Sequence, residues 1–489
     1  MSPEHLQALR NAMNTHLRSE HLPELCTSLV RMNHRLVELD YSNVPHTPRE
    51  CIDRIIECCS QNNAFDTLLY VLRELHPSVL TGLDLSSESV DLNDILPSKP
   101  ITNLPAPNCI EFVGRKREFD WLFQHLLHSS SVRLLVVTGI GGIGKSELAL
   151  AVAHKFLNEH MKLPAENRFE AIIWLSGKKE VLGIDEKPIV ASLHICRTIE
   201  DVYSEIATTL ERTDIKDAST YREQEKLIER LLRLHRVLII VDEIESMSDG
   251  RVDTFVRNIP ERSKAVVTTS EWNHDPRNIV AIKRLEEMTF REVRGIYKAA
   301  MAGEAPITLA QQRAIFEFTN GIPLPIVIAL AKMRAYETFM QVMDWLQNPS
   351  SRLYQHMMKE QIDAVSKHHP DAWLLLLACS FFGRESGGSR EALSSMTRLT
   401  EHRCNDGLSL LQQFSLVKQN KEGTFWMIPM MQRYMQAHLH SSTHSKLFEE
   451  RWRELSFYHP FPTTSSHYLF TLVSHYNLVW GRFLYALMR

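Results

Sequence analysis

Apolar residues recur at helical spacing through the first eighty positions. Leu6, Leu9, Met13 and Leu17 form one stripe, Leu22, Leu25, Leu29 and Met32 a second, and Ile52, Ile55, Ile56 and Cys59 a third. Leu68, Leu69, Leu72 and Leu75 run up to Pro77, and breaks such as Ser42 to Pro45 separate the stripes. The pattern predicts an all-α bundle over residues 1–80, of about four to six helices, with no cluster of catalytic groups in it. Residues 81–108 then read as a linker. Ser86, Ser87, Glu88 and Ser89 are polar, and Pro97, Pro100, Pro105 and Pro107 favour an extended path.

From residue 109 the texture changes. Short β-branched runs, Leu134–Thr138, Ala171–Leu175, Val237–Val241 and Ala265–Thr269, alternate with amphipathic helical stretches. Runs apolar at every position belong to strands covered on both faces, so residues 109–284 predict an α/β domain with a parallel sheet. Residues 285–355 turn helical. Residues 356–440 are helical and end in a hairpin, with strands at Ser415–Lys418 and Phe425–Ile428 around Asn420 to Gly423. Residues 441–489 read as a helical tail. Leu447, Trp452 and Leu455 lie on a loose stripe, and Tyr468–Met488 is apolar but interrupted by His475, Asn477 and Arg482. A spanning helix tolerates such residues poorly, so this segment reads as one that packs on protein, in a shortened sensor or a truncated frame. No internal repeat is present, which argues against a solenoid within the chain.

Composition narrows the class. A chain of 489 residues exceeds one ordinary core and predicts three or four domains. Its net charge of -4 lacks the basic footprint of a dedicated nucleic-acid binder. The eight cysteines fall into no CxxC pair or zinc-spaced cluster, so free buried thiols in a reducing cytoplasm are expected. The first ten residues have no apolar core of a signal peptide. Neither membrane nor DNA is an expected partner.

The decisive segment runs from Leu134 to Ser146. Gly139, Ile140, Gly141, Gly142, Ile143, Gly144, Lys145 and Ser146 fit GxxxxGK[ST], after a buried strand and before the helical run Glu147–Phe156. The glycines let the backbone curl so that its N–H groups face phosphates, and the helix N-terminus adds partial positive charge. The pattern predicts ATP or ADP bound with Mg²⁺. Lys145 bridges the β- and γ-phosphates and Ser146 holds the metal. A second acidic ligand belongs at the end of another buried strand. Asp242, after Val237–Val241, supplies it, and Glu243 is placed to polarise an attacking water.

The surrounding motifs resemble the STAND signalling NTPases, and the NB-ARC family among them. Phe112, Val113, Gly114 and Arg115, followed by Glu118, resemble the hhGRE motif. Phe169–Ser176 is similar to that family's second strand, Gly321–Pro325 to its GLPL motif, and Leu410–Val417 with Phe425–Pro429 to the end of its winged helix. The resemblance covers about residues 109–440, in the family's order. It implies an α/β P-loop NTPase followed by helical and winged-helix subdomains. It assigns nucleotide contact to Val113, Gly114, Arg115, the loop 139–146 with Glu147, Thr269 and Pro323, and Mg²⁺ to Ser146 and Asp242. Glu243 and Lys145 would act in slow hydrolysis. It further implies a switch with a closed ADP form and a self-associating ATP form. The N-terminal bundle resembles a death-fold-like, effector-associated domain that recruits an effector or adaptor, as in bacterial immunity or cell-death signalling. A transcription regulator using the winged helix on DNA and an AAA-type motor are the alternatives. Against DNA, Leu408–Phe414 is apolar and carries no Arg or Lys. Against a motor, no arginine finger stands out.

Two departures from the family pattern change what is expected. The strand Ala265–Thr269 continues into Ser270 and Glu271, where the family carries a sensor arginine; Arg277 is the nearest one. Met427, Ile428 and Pro429 replace a motif whose central histidine meets the β-phosphate of ADP. Discrimination between ATP and ADP, the hydrolysis rate and the ADP lock should differ accordingly.

Overall fold

The computed structural model describes residues 3–39, 47–80, 99–107 and 112–458, apart from 128, 179, 183–187, 191–194, 219, 271, 273–276, 278, 303–306, 336, 385, 441 and 443. The apolar stretch 468–488, Cys109, Glu271 and the break at 42–45 lie outside the described residues, as does most of the expected linker.

The N-terminal stripes become helices α1 (Pro3–His16), α2 (Leu22–Met32), α3 (Pro48–Gln61), α4 (Phe65–Leu75) and the short α5 (Pro77–Leu80). Leu9, Met13, Leu25, Leu29, Ile52, Ile55, Ile56, Leu68 and Leu72 are all buried in one apolar cluster, which contains no residue beyond this bundle. Cys26, Cys51, Cys58 and Cys59 are free and buried in it, and burial pushes the Cys58 thiol up to about 11.

A six-stranded parallel sheet follows, in the order β1-β3-β6-β7-β2-β8. Its strands are β1 (Ile101–Thr102), β2 (Leu134–Thr138), β3 (Ala171–Ser176), β6 (Val237–Asp242), β7 (Lys264–Thr269) and β8 (Val280–Arg284); β4 (Glu180–Leu182) and β5 (Pro188–Val190) form a separate hairpin. Four strands were legible as continuous apolar runs because both of their faces are covered. Leu135, Val137, Ile172, Leu238, Ile240 and Val266 belong to one core, and Leu134, Val136, Ile173, Ile239, Val241 and Val267 to the other. The period of two along each strand thus divides its side chains between two cores. The edge strands escaped the pattern: β8 is half-exposed and β1 has two residues.

Strand β1 comes from the expected linker. Asn103 anchors it by donating to the Trp174 carbonyl (2.9 Å) and accepting from the Trp174 N–H (2.7 Å), and Thr102 Oγ1 donates to the Ile172 carbonyl. The extended path that its prolines favour is therefore paired to the sheet over residues 101–102.

Helices α6 (Lys116–Leu126) and α7 (Lys145–Asn158) cover one face; α8 (Ile199–Thr209), α9 (Thr213–Lys216), α10 (Tyr221–Leu234) and α11 (Gly250–Arg257) cover the other. The first face shares a continuous core with a helical C-terminal half. This half comprises α12 (Phe290–Ala300), α13 (Leu309–Thr319), α14 (Pro323–Arg334), α15 (Phe339–Gln347), α16 (Arg352–His368), α17 (Pro370–Cys379), α18 (Arg390–Thr397), α19 (Glu401–Gln413), α20 (Pro429–His440) and α21 (Ser445–Tyr458). The expected hairpin is present but short, with β9 (Lys418–Gln419) antiparallel to β10 (Phe425–Trp426). Met427 and Ile428 are core residues. Among the described residues no helix is long and apolar enough to cross a membrane.

One buried cation ties the first face together. Lys264 Nζ donates to the carbonyls of His125 (2.9 Å), in the last turn of α6, and of Ser130 (2.9 Å) and Val132 (2.7 Å) beyond it. Burial pushes its ammonium down to about 8, so it stays mostly protonated at neutral pH. Lys264→Met strips three buried carbonyls of their donor and should cost about 2–4 kcal/mol, read as a shift of the urea midpoint at unchanged slope.

Candidate nucleotide-binding site

The strand order places the site. From β2 the chain crosses to β3 on one side, whereas β8 returns to the other side of β2, so a crevice opens at the carboxyl end of β2. Residues 139–144 turn there from strand into helix. Gly139, Gly142 and Gly144 have φ of 148°, 74° and 97°. These are conformations that a side chain disfavours, and they curl the loop over the N-terminus of α7. Lys145, buried at the first position of α7, donates to the carbonyls of Gly139 (2.8 Å) and Ile140 (3.2 Å). Desolvation lowers its pKa, with Glu245 and Glu243 acting against that.

Asp242 ends β6 and is almost fully buried. Thr268 of β7, the strand between β6 and β2, donates to Asp242 Oδ1 at 2.7 Å, and its hydroxyl accepts the Glu243 N–H at 2.9 Å. The Ser146 hydroxyl lies near enough to the Asp242 carboxylate to act to lower its pKa. Burial raises the pKa of Asp242, opposed by the ammonium of Lys178. Glu243 has a left-handed backbone, φ 54°, and its carboxylate accepts from Lys178 Nζ at 2.6 Å. Desolvation works to lower the pKa of Lys178, but Glu243 and Asp242 outweigh it and the net shift is upward. The register that sets Ser176 opposite Asp242 brings Lys178 and Glu243 together past the strand ends.

Four other elements close on the loop. Arg115, buried with φ 49°, sends one guanidinium nitrogen to the carbonyls of Ile143 (2.8 Å) and Glu286 (2.9 Å). Its Nε is buried without a partner, and burial lowers its pKa. Val113 and Gly114 pack against α12 and the segment before it: a Cβ on Gly295 would lie 2.5 Å from Val113 Cγ1, and one on Gly114 2.3 Å from Met288 Cε and 3.5 Å from Glu292 Cβ. Pro323 opens α14, and the next N–H, from Leu324, donates to the Gly142 carbonyl at 3.2 Å. Helix α16 lies across the loop so closely that a Cβ on Gly141 would stand 2.2 Å from the Met357 carbonyl. Leu285 N–H donates to the Thr138 carbonyl at 2.8 Å.

All the predicted residues of the loop, the acidic pair, the Val113–Arg115 segment and the Gly321–Pro325 region therefore converge on one crevice. Glu147, in the first turn of α7, lines a groove of about 610 Å³ between α6 and α7 together with Phe112, Gly114 and Lys116. Thr269 is buried at the end of β7, but Thr268 is the residue that engages Asp242. Ser270, at the place of the expected sensor, has its N–H bonded to Glu245 Oε1 at 2.6 Å. Sequence reasoning missed Thr268, Lys178, Met357 and His356. His356 is exposed on α16 beside Met357, and its pKa is lowered by desolvation and by Lys178, with Glu243 acting the other way. The legible signal for Lys178 was Gly177 at the end of a buried strand, where a Cβ would press on the Glu243 carbonyl at 2.8 Å.

Residues 115–274 match the family model described as NB-ARC domain. The chain carries a P-loop NTPase domain, and the match to that model covers about a third of its length. The transcription activator GutR of Bacillus subtilis (strain 168) is 28% identical over 177 residues, which is 36% of this chain and 19% of that protein. An uncharacterized WD repeat-containing protein of Nostoc sp. is 28% identical over 143 residues, 29% of this chain and 10% of that one. The chain thus spans a fifth or less of the length of these curated relatives. Among solved structures, a Walker-type ATPase of Pyrococcus abyssi is 15% identical at a TM-score of 0.48, covering 68% of this chain and 98% of that one. A STAND protein with a tetratricopeptide repeat sensor from Pyrococcus horikoshii is 16% identical at 0.31, covering 73% and 47%. The Aeropyrum pernix ORC2 protein, in ADPNP–ADP complexes, is 14% identical at 0.42, covering 69% and 97%. Within the matched residues, the loop 139–146 and the pair Asp242–Glu243 occupy the carboxyl ends of β2 and β6.

Proposed function

We propose that this chain is a nucleotide-operated signalling switch, and that its N-terminal bundle, residues 1–80, docks an effector or adaptor. The observation that carries the reading is the convergence on the phosphate loop. Arg115, the start of α14 and the middle of α16 all touch residues 141–143, so a change at the phosphates acts at once on three separately packed elements.

In this reading the loop N–H groups, Lys145 and the N-terminus of α7 bind the phosphates of ADP or ATP. Val113, Gly114 and Arg115 border the base and sugar, and Pro323 closes the opposite wall. Glu147 and Thr269 complete the lining. The donor set fits a hard divalent cation, because a buried carboxylate and a hydroxyl meet at Asp242 and Ser146. Mg²⁺ there would neutralise charge on the β- and γ-phosphates. Lys145 would leave the carbonyls of Gly139 and Ile140 for the phosphates. Glu243 would orient a water and take its proton once Lys178 releases the carboxylate, which makes hydrolysis slow and conditional. Thr268 keeps both acids in position.

The reading is tested by light scattering of the full chain with ADP·Mg²⁺ and with a non-hydrolysable ATP analogue. The expected result is a monomer with ADP and a larger assembly with the analogue. A single size in both nucleotides, at concentrations well above their dissociation constants, would remove the switch.

A further inference from the structure

The five residues from Arg284 to Met288 join the parts of the molecule. Their backbone faces the nucleotide crevice: Leu285 N–H is on the Thr138 carbonyl, the Glu286 carbonyl takes Arg115, and Met288 N–H donates to the Gly321 carbonyl at 3.1 Å. Their charged side chains face the other way, toward the hairpin that follows α19. Arg284 donates to the Gln412 carbonyl and to the Ser415 hydroxyl. Lys418 of β9 pairs with the Glu286 carboxylate at 3.3 Å and, more closely, with that of Glu287. The pair at the centre is partly withdrawn from water, since the side chain of Glu287 keeps 12% of its surface and that of Lys418 25%, whereas Arg284 and Glu286 are exposed. The clip is thus less screened than a surface pair, yet within reach of salt.

We propose that Arg284 and Lys418 form an electrostatic clip that holds the helix–hairpin region 352–440 against the sheet edge and thereby keeps the phosphate loop covered. The connection is short. Moving Lys418 away pulls on Glu286, whose carbonyl shares one guanidinium nitrogen of Arg115 with Ile143 of the loop. Helix α16, which presses on Gly141, belongs to the same region that the clip retains. Closure of the module, whose helices share an apolar core with the sheet, is therefore reinforced by charge at a point remote from the phosphates and independent of Ile428. The inference deepens the switch reading but does not need a bound nucleotide.

The test uses the full chain and Lys418→Glu, which sets a third carboxylate beside Glu286 and Glu287. Small-angle scattering without nucleotide should show a larger radius of gyration, and limited proteolysis should cut near the hairpin about tenfold faster. With a fluorescent ADP bound, release should also be about tenfold faster. Lys418→Glu combined with Glu287→Lys should restore the wild-type dimensions and rates. Raising salt on the wild-type chain should move it toward the single variant. Arg284→Gln, which adds no repulsion, should show the same changes at smaller amplitude and covers the case in which the charge reversal misfolds. Unchanged scattering and proteolysis in both variants, with a wild type indifferent to salt, overturns the clip. If the chain binds no nucleotide at all, the release measurement fails with the switch reading, and the scattering and proteolysis still decide the clip.

Discussion

Lys145→Ala should weaken ATP binding on the order of a hundredfold and erase any difference in size between the ADP and ATP-analogue forms. A charge-assisted hydrogen bond contributes about 1.5–3 kcal/mol, which is roughly 10- to 150-fold in affinity. Lys145 is the cation at the head of α7, and its ammonium rests on two loop carbonyls within reach of any phosphate the loop cradles. The size of the accompanying stability change, with and without nucleotide, separates this role from a structural one. Lys145 is buried and its pKa is lowered first by desolvation, so its charge is costly to the fold. Removing it relieves that charge but strips the Gly139 and Ile140 carbonyls of their donor, so the ligand-free melting temperature should fall only modestly, while the rise in melting temperature on adding nucleotide disappears. Titration calorimetry and thermal melts measure both. Wild-type affinity in the variant would refute the assignment of this loop as the phosphate site.

Glu243→Gln should slow ATP hydrolysis by about 10²–10³-fold while leaving ATP affinity within about threefold, the signature of a group that acts on the attacking water. The glutamine keeps the shape but takes up no proton. Its left-handed backbone is held by the bond from its N–H to Thr268, and this survives the change. Lys178 loses its carboxylate partner, so some stability is lost, but Asp242 still faces it. If turnover is measured as single-turnover phosphate release, the variant should accumulate in the ATP form and assemble for longer. A turnover equal to wild type would mean that another group positions the water.

The two predictions rest on residues that the chain itself displays. The strand runs of β2, β3, β6 and β7 are apolar without interruption because each is covered on both faces, and that condition is written in local composition. The loop 139–146 is legible for a related reason: glycines readily allow the backbone to turn at φ of 74–148°, and three such glycines stand within six residues at the end of a buried strand. Asp242 and Glu243 are readable because they close a buried strand where charge has no structural use. The helical bundle followed from its stripes. What local pattern lacks is register between distant segments. Lys178 meets Glu243 because β3 and β6 are parallel neighbours, and Thr268 reaches Asp242 because β7 lies between β6 and β2. The strand in residues 101–102 depends on Asn103 finding Trp174, seventy-one positions away. The contact of α16 with Gly141, and the clip from Lys418 to Glu287, join residues more than one hundred positions apart. The residues of the candidate phosphate site were therefore set by short segments whose backbone and burial needs are local. Its contacts with the rest of the chain were decided only when packing brought side chains from separate elements within bonding distance, which no periodicity in the sequence records.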